Sequence, residues 1–152
     1  MSHLTAEFLV VALLTMSPSV SADQSEKKSL LEQLEGEYEV IGIEYSGELV
    51  RLEMSGRIVI KANKLTQIFK SAKSVTPRHY TISVDSTKTP AWIDLKSQDE
   101  AKKGETLLGV ITIECDVIKV CYNTSSGQKR PTEFKTSNDS EYLLLKARRI
   151  NK

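Results

Sequence analysis

Through most of the stretch from Tyr38 to Ala147, apolar residues recur at every second position in short runs. Period two is the spacing of a half-buried strand, and no helix-length run of period 3.6 interrupts it. Tyr38, Val40 and Gly42 share one face of a first strand, and Glu37, Glu39, Ile41 and Ile43 the other. Further strands read at residues 57–61, 65–69, 79–84, 91–95, 107–113, 117–122 and 142–147, with a minor one at 132–135. The gaps 85–90, 96–105 and 123–131 are polar and rich in turn formers. Eight or nine short strands with no helix between them must pair antiparallel. The economical closure is an up-and-down barrel of about eight strands, with a sandwich as the alternative. Inward candidates are Tyr38, Val40, Tyr80, Ile82, Val84, Ile111, Ile113, Ile118 and Val120. Their bulk, and only seven glycines in the chain, point to a filled or nearly filled interior.

Upstream, residues 23–35 are polar with Leu30, Leu31 and Leu34 at helical spacing, which predicts one short N-terminal helix ending at Gly36. Residues 1–22 read as a signal peptide: the apolar core 8–14 is followed by Val20, Ser21 and Ala22. A buried N-terminal helix is the competing reading. The run falls short of the ~20 residues a membrane span needs. The expected product is an exported protein, periplasmic or extracellular, with its barrel domain at 36–150. All 21 Lys and Arg and 19 of the 20 acids lie beyond residue 22, for a charge near +2. So balanced a chain does not steer partners by a global field.

Chemistry is sparse. A catalytic triad needs a histidine, and His79 sits mid-strand, where a surface position is the plain reading. There is no phosphate-cradling glycine motif. Basic residues occur as scattered pairs, which disfavours nucleic acid as a partner. Cys115, Cys121 and His79 make a poor zinc set. No catalytic residue, cofactor or metal ligand is therefore assigned. Asn123 and Asn138 each open a glycosylation tripeptide, a pattern too short to weigh much. Glu114 to Val117 reads as a hairpin turn with Cys115 at its tip. Cys121 then lies roughly 15–20 Å away along the returning strand. A disulfide tolerates about 7 Å between Cα atoms, so none is expected.

Several segments occur in order: Leu34-Glu35-Gly36-Glu37-Tyr38, Pro90-Ala91-Trp92-Ile93-Asp94-Leu95, Gly104 to Gly109 and Glu114-Cys115-Asp116. Val120-Cys121-Tyr122, Arg130-Pro131-Thr132-Glu133-Phe134 and Leu145-Lys146-Ala147-Arg148 follow. Together they resemble a planctomycete-type secreted domain family of unassigned activity, over about residues 30–150. The resemblance implies a lipocalin-like eight-stranded barrel, opened by a Gly-x-Trp segment and finished by a basic residue. Tyr38 stands where that family has Trp, and Cys115 where it has Gly.

Six residues are singled out for binding or structural roles. Tyr38 is expected buried at the closed end under the stem of Arg148, with Arg149 the second choice, through packing and cation–π attraction. Trp92 belongs to the same family-like core segment as Asp94. Asp94 is expected to accept from turn amides, the alternative being a partner contact. Arg130 and Glu133 are expected to form an ion pair across Pro131 that pins their loop. Three functions remain open. An interaction or structural module of the cell envelope, with an envelope protein as partner, ranks first. A barrel holding a small apolar ligand ranks second, and a hydrolytic enzyme last, since no nucleophile–base pair is visible.

Overall fold

A computed structural model describes residues 28–50 and 55–150, and the signal-peptide region lies outside them. A five-residue helix, α1 (Leu30–Leu34), leads in. Its start is set by a capping box: Ser29 Oγ accepts from the Glu32 amide at 3.2 Å, and the Glu32 carboxylate accepts from the Ser29 amide at 2.7 Å. Nine strands follow: β1 (Gly36–Tyr45), β2 (Glu48–Leu49), β3 (Ser55–Lys61), β4 (Lys64–Lys70), β5 (Val75–Asp85), β6 (Ala91–Ser97), β7 (Thr106–Glu114), β8 (Val117–Asn123) and β9 (Tyr142–Arg149).

Each long strand pairs antiparallel with the next, and β1 pairs with β9 to close the sheet. The result is a closed eight-stranded all-β barrel, with β2 as a short flap on β1. Alternation decides what fills it. Ile58, Ile60, Leu65, Ile82, Ile93, Leu95, Ile111, Ile118 and Leu145 are at most 2% exposed and form one core. Each such side chain contributes roughly 1.5–3 kcal/mol by leaving water.

Strict alternation fails once in β1. The register with β9 steps from Val40↔Ala147 to Gly42↔Lys146, a bulge that leaves Ile41 unpaired. An inserted residue flips the faces beyond it. Ile43, expected beside Glu37 and Glu39, therefore points inward and is buried, while Ile41 is 44% exposed. Nor do residues 132–135 form a strand. They belong to the long β8–β9 connection, which lies across the outside of the barrel. There Phe134 and Tyr142 pack on Val110, Cys121 and Leu144, a second small core on the outer face of β7–β9. Thr136 fastens the far side, donating to Glu44 at 2.7 Å and accepting from the Gly47 amide at 3.0 Å.

Gly36 and Gly109 are among the glycines whose place leaves no room for a side chain. Gly36 has φ +149, and the Arg149 guanidinium occupies the place of its missing side chain. A Cβ on Gly109 would meet the Cys121 carbonyl oxygen at 2.6 Å and Tyr122 Cβ at 2.8 Å.

Candidate functional site

The two ends of the barrel differ. At the α1 end Tyr38 is fully buried, and its hydroxyl donates to the Leu34 carbonyl at 2.8 Å. Burial pushes its phenol pKa up, and the nearby Arg149 charge partly opposes this. The cation over the ring is Arg149, with its guanidinium carbon 4.9 Å from the ring centre. Arg148, the expected partner, is exposed and points the other way. The reason is register: Tyr38 sits directly opposite Arg149 across the β1–β9 ladder, and Arg148 opposite Glu39 on the outer face. Arg149 also donates to the carbonyls of Gln33, at 2.7 Å, and Glu35, and pairs with Asp116 at 3.2 Å. It thus ties helix, first strand and the β7–β8 turn into a closed floor.

Trp92, Asp94 and Arg130 meet on the outer wall. Arg130 Nη1 donates to the Gly109 and Ile93 carbonyls at 2.7 and 3.0 Å, and Nη2 to Asp94 Oδ1 at 2.6 Å. Its guanidinium lies 4.5 Å from the Trp92 ring centre, and Lys88 Nζ lies 4.8 Å from it. Asp94 thus faces Arg130 and not turn amides, because it sits mid-strand in β6. Glu133 is exposed and pairs with no cation among the described residues, so the expected Arg130–Glu133 pair gives way to Arg130–Asp94. Arg130 is a hook that fastens the β8–β9 loop to the barrel wall.

None of the six residues lines the cavity at the open end. There the start of β5, the β6–β7 connection and the start of the β8–β9 loop surround a cup of about 520 Å³. Its walls include Tyr80, Leu107, Tyr122 and Leu143, with Arg78 and Ser97 as polar lining. Burial pushes the Tyr122 phenol up to about 12 and raises that of Tyr80; Arg78 pulls both the other way. Beside Tyr122, Gln67 is 2% exposed, and its Oε1 is the one buried side-chain polar atom without a partner among the described residues. Sequence reading placed Tyr80 inward and kept a ligand-holding barrel as its second choice, but named none of the other lining residues. The available signal was Arg78: two positions from inward Tyr80, it puts a charge on the inner face of a strand end.

Remaining candidates resolve simply. His79 stands on the outer wall, with Thr66 Oγ1 3.3 Å from its Nδ1. Asp99 accepts from the His79 backbone amide at 3.1 Å, not from its ring. Cys115 is exposed at the turn tip and Cys121 is buried under the loop, both free. Asn123 is buried, and its amide donates to the Lys129 carbonyl at 3.2 Å, which removes it as a glycan acceptor. Comparison with family models, curated proteins and solved structures finds no match.

Proposed function

We propose that this protein is an exported, non-enzymatic barrel that binds a small, largely apolar ligand in its open-end cup. The carrying observation is the cup itself. About 520 Å³ lies within the roughly 300–1,000 Å³ typical of small-molecule sites. Tyr80, Leu107, Tyr122 and Leu143 supply an apolar wall, and Arg78, Ser97 and a charged rim of Asp99, Glu100, Lys102 and Glu105 supply polar groups that can orient a ligand. A wholly filled barrel, the premise of the envelope-module reading, would leave no such space, so the ligand-binding reading takes precedence. Hydrolysis lacks support: the Thr66–His79 pair faces solvent, and among the described residues no carboxylate orients the imidazole. Export and membership of the planctomycete-type family belong to the same proposal.

Titration with the neutral fluorophore N-phenyl-1-naphthylamine tests the cup. We expect saturable binding at one site, weakened about tenfold or more by the cup-filling Leu143→Trp, with an unchanged urea midpoint. Absence of saturable binding, or binding indifferent to Leu143→Trp, overturns the reading.

A further inference from the structure

Arg78 is the cation whose place in the fold calls for a partner. It lies directly opposite Gln67 in the β4–β5 ladder. Directly opposed residues leave a sheet on the same face. Gln67 is buried inside the barrel, so the Arg78 side chain starts from the inner face as well. It lines the cup, and among the described residues it pairs with no carboxylate. The three ion pairs of the described chain all lie elsewhere. Arg78, Tyr80 and Tyr122 line the same cup, and the Arg78 charge opposes the burial that raises both phenols. The cup therefore combines an apolar wall with a guanidinium that starts from the inner face.

Acidic groups also stand at the rim: Asp99, Glu100 and Glu105. They are less suited to hold a ligand head. One Asp99 oxygen already accepts from the His79 amide. Glu100 and Glu105 are exposed, as Arg78 is, but they stand on and beside the short 3-10 turn Glu100–Lys102, whereas Arg78 starts from the inner face of β5 opposite Gln67. Lys102, the last residue of that turn, adds a second cation to the rim. A guanidinium presents a planar fork that matches a carboxylate, and such charge-assisted bonds are about twice as strong as neutral ones.

We infer that the cup selects an amphipathic organic acid, its single apolar tail among Tyr80, Leu107, Tyr122 and Leu143 and its carboxylate on Arg78. This rests on the ligand-binding reading and adds the ligand's charge and orientation.

The test is displacement of N-phenyl-1-naphthylamine by three ligands of one tail length: octanoate, 1-octanol and octylammonium. Octanoate is expected to displace the probe best. Arg78→Gln should weaken octanoate about tenfold or more, the effect of losing one charge-assisted hydrogen bond. It should weaken 1-octanol and the probe far less than octanoate, since neither carries a charge for the guanidinium to meet. Equal binding of octanoate and 1-octanol, unaltered by Arg78→Gln, overturns the acid preference but leaves the cup a ligand site. Preference for octylammonium overturns it too and hands the rim to Asp99, Glu100 and Glu105. Failure of the probe itself to bind removes both readings.

Discussion

Tyr38 and Arg149 show how one pair can close a barrel end. The ring fills the floor, and the guanidinium covers it while binding two carbonyls and Asp116. Tyr38→Ala should cost about 3–5 kcal/mol, the usual penalty for removing a buried aromatic. Arg149→Ala should also destabilise, and the two losses should fall short of additivity because the side chains touch. Arg148→Ala, on an exposed side chain, should stay within about 0.5 kcal/mol of wild type. Urea unfolding of the three single variants and the Tyr38–Arg149 double variant checks this; strict additivity would sever the pair. The cysteines offer a second residue-scale contrast. Cys115 and Asp116 have φ of 47 and 64, the doubly positive geometry of a tight hairpin turn. Glycine adopts it without strain, so Cys115→Gly should be neutral or slightly stabilising. Cys115 should react with a thiol reagent in the native protein. Cys121, buried and with its thiol pushed up to about 11, should react only on unfolding. Two equally fast native thiols would contradict this placement.

At the scale of elements, the β8–β9 connection behaves as a strap. Arg130 hooks it to β6 and β7, Phe134 presses it on the outer core beside Tyr142 of β9, and Thr136 ties it to β1. Removing the hook strips bonds to three oxygens, while the partly exposed Asp94 can regain water. Arg130→Ala should therefore cost about 2–3 kcal/mol, within the range of hydrogen bonds to a charged group. Arg130→Lys should recover little, since an ammonium cannot span three acceptors held by a planar fork. Glu133→Gln should do nothing measurable. The sole tryptophan, Trp92, lies against Arg130, so its emission should report the loss before global unfolding. An unshifted emission and wild-type urea midpoint in Arg130→Ala would remove the strap. The same element explains what was legible in the sequence. The eight long strands, the leading helix and the turn at Cys115 follow from local period and turn chemistry and appear in the fold, whereas the minor strand expected at 132–135 does not. The partners of Arg130 and Tyr38 do not, because they depend on register between strands far apart in the chain. The bulge at Ile41 is likewise invisible to a strict period-two count, and so it misplaced Ile43.

Across the whole molecule, one end of the barrel is closed and braced and the other opens into the cup. The buried ionisable groups extend both cores toward a shared vulnerability at high pH. Tyr122 stands at the cup and Cys121, its neighbour in β8, points to the outer core; burial raises both, to about 12 from 10.0 and to about 11 from 9.0. Tyr80 and Tyr38 are raised in the same sense. A group with a raised folded pKa holds its proton in the native state after the unfolded chain has lost it. The unfolded state then binds fewer protons, so stability must fall as pH rises. The contribution is whole below the unfolded value, declines from about pH 9 for Cys121 and about pH 10 for Tyr122, and is exhausted once each folded value is passed. Urea midpoints measured from about pH 8 to about pH 11 should therefore drop steadily. Cys121→Ala will be less stable at neutral pH, through the cavity it leaves, yet should show a shallower fall over the lower part of that range. Tyr122→Phe should flatten the upper part, and lysine titration, common to all variants, cancels in the comparison. A ligand carrying an anionic head should add to the midpoint throughout, by the logarithm of its concentration over its dissociation constant. Midpoints flat to about pH 11, or variants that keep the full wild-type slope, would show that neither group carries the burial assigned to it.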